Sequence, residues 1–287
     1  MTHLNSMSTK NLIKKIYHML YKRHIYGVTS PLRVLPDFMV IGVGRGGTTS
    51  LYHYLGQHPC IVKAAYDELG FFDTNFGLGI YWYRSLFPTI LHKRRIILKW
   101  KQCMTYDVTP SYIRHPWIIQ RILKFLPNVK LIAILRNPVD RAYSHYHMGK
   151  RDGNEKRTFD DVIKIDIDRL ENKKNLDVDE YFNTIVERSY LARGFYAEQL
   201  QIWMDRFPKE QLLVISSEDL ASKTEETLAT IFDFLKLPNY KIRDLTKRNE
   251  AKYPPMNPDT RKTLVEYFKP YNEKLYSLLG RKFDWDK

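Results

Sequence analysis

Residues 42–50 carry the groups best suited to bind a phosphate. They are four glycines, one cation and three hydroxyl residues: Gly42, Gly44, Arg45, Gly46, Gly47, Thr48, Thr49 and Ser50. A glycine-rich turn that enters a helix exposes backbone N–H groups, and the helix dipole adds roughly half a positive charge there. We therefore expect an anion site whose cation is Arg45. The alternative is a glycine-rich turn that binds nothing.

The spacing of this turn resembles the phosphate-loop motif Gly-x-x-x-x-Gly-Lys-Ser/Thr, with Gly42 and Gly47 as its fixed glycines. Thr48 stands where a nucleoside triphosphatase carries the lysine that reaches the β- and γ-phosphates. The pattern therefore favours a different phosphate-bearing donor, and a nucleotide kinase is the weaker alternative.

A second anion-binding position is predicted near Arg136 and Ser144. The apolar run at 130–135 predicts a buried strand, and Pro138 is placed to begin a helix. Arg136 at the strand end and Ser144 in the helix project toward one point if the helix folds back. Ligands of parallel sheets lie outside the carboxyl ends of the strands. We therefore expect a ligand with two anionic groups between strand ends.

Acidic residues in the stretch 66–73 offer a general base. Glu68 is followed by Phe71 and Phe72, and partial desolvation by such aromatics raises the pKa of a carboxyl group. A solvated acidic loop is the alternative. Asp107 and His115 are reserve candidates for the base, and His115 is more simply a helix-start residue beside a proline.

Hydrophobic patterning predicts an α/β protein with a P-loop-like three-layer fold, in which helices flank a central, mainly parallel sheet. Strands are expected at 38–43, 60–62, near 106–108, 130–135 and 211–215. Helices are expected at 48–57, 79–88, 115–126, 138–146, 160–170, 189–207, 225–235 (with Thr224 as N-cap) and 258–279. We expect 89–99 to be an exposed basic edge and 150–185 a mobile surface segment over the acceptor. The prolines of 246–256 exclude regular structure there.

Charge and length limit the remaining possibilities. The chain of 287 residues carries a formal charge of +14, which calls for an acidic partner such as a polyanionic cofactor, an anionic polymer, anionic lipid or nucleic acid. We expect a basic N-terminal extension at 1–34 and one catalytic domain at 35–287. The basic amphipathic pattern of 10–26 fits packing on its own domain better than membrane contact, which is the alternative.

Two cysteines, Cys60 and Cys103, do not make a disulfide framework or a metal site, and we expect buried free thiols in a reducing cytoplasm. No run approaches the ~20 apolar residues of a membrane span. No signal peptide is expected from the first residues.

Taken in order along 35–280, these motifs resemble the sulfotransferases that use 3′-phosphoadenosine 5′-phosphosulfate (PAPS). The resemblance is strongest to the glycan-type group, the heparan sulfate sulfotransferases and their soluble bacterial relatives. It implies that 38–51 holds the 5′-phosphosulfate, that Arg136 and Ser144 hold the 3′-phosphate, and that Glu68 is the catalytic base. The segment 109–112 matches one near the acceptor site. Further cofactor-binding residues implied by it are Tyr196, Asn249, Lys252 and Tyr253.

The resemblance also implies in-line sulfuryl transfer without a metal, to a saccharide, polysaccharide or lipid-linked acceptor, and no nucleic acid partner. Sulfation of a lipid or small-molecule hydroxyl is the alternative activity. From another class, a non-catalytic basic module could bind an anionic polymer or a membrane. Arg45 departs from the usual lysine of the family and Asp67 from the lysine that commonly precedes the glutamate, and the C-terminal cysteine pair of secretory members is missing. The acceptor and the oligomeric state do not follow from the sequence.

Overall fold

The computed structural model describes residues 28–172, 176–248 and 251–285, and a sheet of five strands lies at its centre. The strands are β1 (Phe38–Gly42), β2 (Ile61–Lys63), β3 (Met104–Val108), β4 (Lys130–Leu135) and β5 (Leu212–Ser216). Their order is β2-β3-β1-β4-β5, and every neighbouring pair is parallel. The predicted parallel α/β sheet is confirmed. Burial on both faces explains why its strands are continuous apolar runs rather than alternating ones.

Ten helices of six or more residues connect and cover these strands in the described part of the chain. They are α1 (Thr48–Leu55), α2 (Gly79–Ser85), α3 (Ile90–Trp100), α4 (Ile118–Phe125), α5 (Pro138–Arg151), α6 (Phe159–Glu171), α7 (Tyr196–Met204), α8 (Ser217–Ser222), α9 (Thr224–Phe234) and α10 (Pro258–Leu279). An irregular helical segment at 178–188 lies between α6 and α7.

The sheet separates two hydrophobic cores, so the fold has three layers. Met39 and Ile41 of β1 belong to one core, which also contains buried residues of α4, α7 and α10. Phe38 and Val40 belong to the opposite core, with buried residues of α1 and α9. Side chains alternate between the faces of a strand, so β1 anchors both layers at once.

Strand β1 is the point at which the strand order switches sides: β2 and β3 lie on one side of it, and β4 and β5 lie on the other. Helices α1 and α5 follow β1 and β4 directly. The segments that leave β1, β3 and β4 therefore meet at one edge of the sheet, where parallel α/β proteins bind their ligands.

A third hydrophobic core holds the segment predicted to be mobile. Residues 150–185 contribute Phe159, Val162, Ile163, Leu170, Phe182 and Ile185 to a buried cluster with α5 and α10. These buried side chains contradict the prediction that the described part of 150–185 lies only on the surface. The apolar positions are separated by charged residues, which hid the stripe of α6 in the sequence.

The predicted helix at 189–207 is wrong in its first half. Residues Ala192–Gly194 form one 3₁₀ turn, and the α-helix begins only at Tyr196. The Asp166 carboxylate accepts hydrogen bonds from the Ser189 hydroxyl at 2.8 Å and the Leu191 amide at 2.9 Å. Such side-chain bonds compete with helical ones and hold the backbone in another path.

The basic stretch at 89–99 is exposed, as predicted, and it forms helix α3, which has no buried residue. One further prediction needs correction. Thr224 is not an N-cap, because α8 precedes it and its hydroxyl donates to the Leu220 carbonyl at 2.8 Å.

The pattern at 10–26 lies outside the described residues. Among the helices that are described, none combines the length and apolar character needed to cross a membrane. Cys60 and Cys103 are both buried free thiols, as expected.

Candidate functional site: an arginine-lined turn at the end of β1

The glycine-rich turn joins β1 to α1 and leaves the start of the helix open. Gly47 is the N-cap of α1 with φ of +94°, and no side chain caps the helix there. The next three residues are Thr48, which is buried, Thr49, which is partly exposed, and Ser50, which is buried. An uncapped helix N-terminus presents N–H donors and a positive dipole end, as predicted for an anion site.

Gly46 has a structural task in this turn. Its N–H donates to the Val43 carbonyl at 2.9 Å, so this amide is already paired within the turn. A Cβ added at Gly46 would lie 2.9 Å from the carbonyl oxygens of both Ile134 and Val43. The residue is therefore glycine because the turn packs directly on β4.

Arg45 brings the two predicted anion positions into contact. Its Nε donates to the Ser144 hydroxyl at 3.0 Å, and its carbonyl accepts from Nη1 of Arg136 at 3.0 Å. Burial, and then the positive charges of Arg136 and Arg151, lower the pKa of Arg45. This concentration of positive charge at the start of α1 is a site that an anion would complete.

Tyr196 lies behind the site rather than in it. Its ring is 1% exposed, and its hydroxyl donates to the Arg136 carbonyl at 2.7 Å. The prediction that Tyr196 contacts a cofactor directly is therefore not supported by its burial. Tyr196 instead fixes the backbone of Arg136. The next amide, that of Asn137, donates to the Glu218 carboxylate at 2.8 Å, a support that the sequence did not reveal.

Residues of the proline-containing segment at 246–256 contact α1 and α5. The Arg248 amide donates to the Ser50 hydroxyl at 2.9 Å, so Ser50 holds this segment. Tyr253 stacks on His147 of α5, with ring centroids 4.4 Å apart and planes within 4°. Lys252 is exposed, and Asn249 lies outside the described residues.

Glu68 lies where β3 ends. Its side chain is exposed, and its amide donates to the Val108 carbonyl at 2.9 Å. Phe71 and Phe72 are buried in the core and do not line a cleft beside it, which corrects the predicted desolvation. Strand β3 neighbours β1, with Val108 opposite Val40, so this carboxylate belongs to the same sheet edge as Arg45.

Arg45 and Glu68 share an uncommon backbone conformation. In the described residues, four non-glycine residues have positive φ, and they include Arg45 at 70° and Glu68 at 52°. Residues held in this region cost about 1–3 kcal/mol each and cluster at functional sites. Sequence patterns carry no signal for this conformation at an arginine or a glutamate.

Asp107, a reserve candidate for the base, is excluded from that task by its burial. It is 1% exposed, and hydroxyls of Thr109, Tyr83 and Tyr112 donate to its carboxylate. Burial raises the pKa of Asp107 to about 6, although the three hydroxyl donors act in the opposite direction. No acceptor molecule could reach this carboxylate.

His115 is buried as well, and α4 begins three residues after it, at Ile118. Burial, and then the charge of Arg114, lower the pKa of His115 to about 4, so its ring is neutral near pH 7. It is therefore neither the base nor the first residue of the helix.

Two arginines extend the positive region and were not predicted as site residues. Arg114 pairs with Glu187 at 2.5 Å, and Arg193 donates to His145, the neighbour of Ser144, at 3.3 Å. Burial, and then Arg114, lower the pKa of Arg193 to about 9. The only signal for Arg193 was its place three residues before the predicted site residue Tyr196. In the described residues, no group of acidic, histidine and cysteine side chains could hold a metal ion.

Comparison with known proteins agrees with this geometry. A family model described as "Sulfotransferase domain" matches residues 35–274. The membrane-associated sulfotransferase kil1 of Dictyostelium discoideum is 29% identical, over 90% of this chain and 68% of that protein. The human heparan sulfate glucosamine 3-O-sulfotransferase 5 is 28% identical, over 88% of this chain and 74% of that protein.

Among solved structures, a sulfotransferase from Alicyclobacillus acidocaldarius superposes with a TM-score of 0.66 at 26% identity. The match covers 88% of this chain and 100% of that one. The parallel sheet, the glycine turn after β1 and the family match thus agree. The chain belongs to the sulfotransferase family, and it is a sulfotransferase rather than a nucleotide kinase.

Proposed function

We propose that the protein transfers a sulfuryl group from PAPS to a hydroxyl or amine of a saccharide-type acceptor. The observation that carries this proposal is the convergence of Arg45, Arg136 and Ser144 at the uncapped start of α1. A donor with anionic groups at both its 5′ and 3′ positions complements two arginines and a helix N-terminus.

The residues present suit each part of this donor. The turn at 45–49 would hold the 5′-phosphosulfate, and Arg136 with Ser144 would hold the 3′-phosphate. Tyr253 and Lys252, together with Asn249 by its place in the sequence, would cover the nucleotide. The docked position of Arg248 on Ser50 supports this role for the segment, because it brings the segment to the start of α1.

The reaction needs alignment, charge stabilisation and removal of one proton. The acceptor oxygen or nitrogen bonds to sulfur as the bond from sulfur to the 5′-phosphate oxygen breaks, and adenosine 3′,5′-bisphosphate leaves. Arg45 and the first amides of α1 stabilise the charge on the leaving oxygen, a task worth ~10²–10³ in rate for each donor. Glu68 takes the acceptor proton, a contribution of typically ~10²–10⁴.

Support for a saccharide acceptor comes from the relatives and from charge. One relative is named for glucosamine in heparan sulfate, and the net charge of +14 favours an anionic acceptor. Another relative is named as membrane-associated, so lipid-linked acceptors belong in the same test.

Calorimetry tests the donor. We expect adenosine 3′,5′-bisphosphate to bind purified protein at micromolar concentration and ATP to bind far more weakly, because ATP lacks a 3′-phosphate for Arg136 and Ser144. Tight binding of ATP together with no binding of the bisphosphate below millimolar concentration would refute the proposal.

Transfer of labelled sulfate to a panel of polysaccharides, lipid-linked saccharides and small phenols tests the acceptor and the base. We expect Glu68→Gln to lose transfer and to keep bisphosphate affinity. Asp67→Asn is the matched control, since Asp67 is a neighbouring exposed carboxylate. Equal turnover in both variants would remove Glu68 from the mechanism.

We further propose that 35–287 is the catalytic unit and that it acts in the cytoplasm, where Cys60 and Cys103 stay reduced. Membrane contact through 10–26 is tested by sedimentation with anionic vesicles, with and without those residues. Equal sedimentation of the two proteins would exclude a role for this stretch.

A further inference from the structure

A buried carboxylate organises three hydroxyl groups beneath the loop that carries Glu68. Oδ1 of Asp107 accepts from the Thr109 hydroxyl at 2.8 Å. Oδ2 accepts from the hydroxyls of Tyr83 at 2.9 Å and Tyr112 at 3.2 Å. Tyr83, Tyr112 and Asp107 are each at most 1% exposed, so water does not compete for these bonds.

Two of the three hydroxyls also hold the backbone of that loop. The Gly70 amide donates to Oγ1 of Thr109 at 3.3 Å, and the Phe72 amide donates to the Tyr112 hydroxyl at 3.2 Å. A hydroxyl has a single proton, and it accepts from an amide only through a lone pair. The protons of both hydroxyls therefore point at Asp107, which must accept them.

The Asp107 carboxylate thus sets the direction of two hydrogen-bond chains that end on the loop at 66–73. One chain runs through Thr109 to Gly70, and the other runs through Tyr112 to Phe72. Glu68, two residues before Gly70, has φ of +52°, and its own amide bonds to the Val108 carbonyl. A glutamate in this backbone conformation keeps it only when neighbouring bonds fix the chain on both sides.

We propose that Asp107 is a positioning residue for Glu68, acting through Thr109 and Tyr112 to fix the loop backbone at Gly70 and Phe72. The inference rests on the proposed role of Glu68 as the base. It gives a function to a buried charge that the reaction itself does not use. An ionised carboxylate accepts only, so it keeps both hydroxyls oriented, whereas a protonated one would donate toward one of them.

Paired variants separate this role from general stability. Tyr112→Phe removes a hydroxyl that links Asp107 to the loop, and Tyr83→Phe removes one that reaches only Asp107 in the bonds described above. Thr109→Val removes the other link, and Thr109→Ser restores the hydroxyl. All four changes are nearly isosteric, and protection of the β4 amides from hydrogen exchange reports whether the fold is intact.

Hydrogen exchange of the peptide 66–76 is the first readout, because it needs no activity. We expect Tyr112→Phe and Thr109→Val to speed exchange at Phe72 and Gly70 by about tenfold, the effect of losing one buried hydrogen bond. Thr109→Ser should exchange as wild type does, and Tyr83→Phe should change this peptide less than Tyr112→Phe. Equal exchange in the two tyrosine variants would overturn the proposal.

Steady-state kinetics is the second readout. Tyr112→Phe and Thr109→Val should lower kcat by about tenfold or more, since a misplaced base loses much of its contribution. The affinity for adenosine 3′,5′-bisphosphate should not change. If wild type transfers no sulfate, the proposed function fails while exchange still decides how the loop is held. If exchange rises and kcat does not fall, Asp107 holds the loop without positioning a base, and the inference is wrong.

Discussion

Removing the Arg45 side chain should abolish most activity and leave the fold intact. Arg45→Ala deletes the single cation of the glycine turn, and loss of one such donor to a developing oxyanion costs ~10²–10³ in kcat, or about 2.7–4 kcal/mol. Arg45→Lys keeps the charge but not the planar donor fork that reaches Ser144 at 3.0 Å, so its loss should be smaller.

Folding stability should hardly respond to the same change. The variant loses one hydrogen bond to a charged group, worth about 1.5–3 kcal/mol, and leaves the buried Ser144 hydroxyl without it. In return it removes a guanidinium whose pKa is lowered by burial and by the charges of Arg136 and Arg151. These terms oppose each other, and the bond from Arg136 to the residue 45 carbonyl survives. We expect the free energy of unfolding to change by less than about 1 kcal/mol.

The assay combines single-turnover transfer of labelled sulfate, calorimetry with adenosine 3′,5′-bisphosphate and denaturant unfolding for wild type, Arg45→Ala and Arg45→Lys. For Arg45→Ala we expect a large fall in the transfer rate, a modest fall in affinity for the bisphosphate and an unchanged unfolding midpoint. A fall in rate of less than tenfold for Arg45→Ala would refute the assignment of Arg45 to charge stabilisation. A large fall in the free energy of unfolding would refute the expectation that removing the buried guanidinium offsets the lost hydrogen bond to Ser144.

Three further outcomes follow from the described geometry. Asp107 binds its proton more tightly in the folded protein than in the unfolded chain, because its pKa is raised to about 6 on folding. The free energy of unfolding should therefore fall by on the order of 3 kcal/mol as pH rises from about 4 to about 6, and it should be flat above about pH 6. Asp107→Asn should remove this slope in urea titrations. Gly46→Ala should lower the free energy of unfolding by about 1–3 kcal/mol, because the added Cβ meets two carbonyl oxygens. Gly44→Ala is the control: a Cβ added there has no neighbouring atom within 4 Å, so thermal unfolding should show a loss of less than about 1 kcal/mol. Tyr253→Leu should weaken bisphosphate binding about tenfold in calorimetry, because its stacking on His147 holds the closing segment, and an unchanged affinity would exclude that segment from the donor site.

The parts of the fold that follow from local pattern were predictable from the sequence. Strand β4 and helix α10 have the predicted bounds, because one is an unbroken apolar run and the other begins at a proline and ends before Gly280. Helix α8 was missed because its six residues, capped by Ser216, are too few to show a period. The break before Tyr196 depends on Asp166, far away in sequence, which no local pattern contains.

The candidate site, too, could be predicted only where it depends on local sequence pattern. The turn at 42–50 could be predicted because it follows β1 directly. The approach of Arg136 and Ser144 to Arg45 could be predicted because β4 is followed directly by α5. The burial of Tyr196 and the network at Asp107 could not be predicted, because both depend on side chains that meet partners far away in the sequence. Tyr83 and Asp107 are 24 residues apart and meet only when α2 packs beside β3.

Both proposed catalytic side chains are held by their backbones. Arg45 is fixed through its carbonyl by Arg136, whose own carbonyl is held by Tyr196. Glu68 is fixed through its amide by Val108, and Asp107 holds the loop that follows. Because these bonds use backbone atoms, each positive-φ conformation survives when the side chain is replaced. Substitutions at 45 and 68 should therefore lower the transfer rate and leave the backbone conformation unchanged. Substitutions at the buried hydroxyls should loosen the loop at 66–73, although every proposed catalytic side chain is still present.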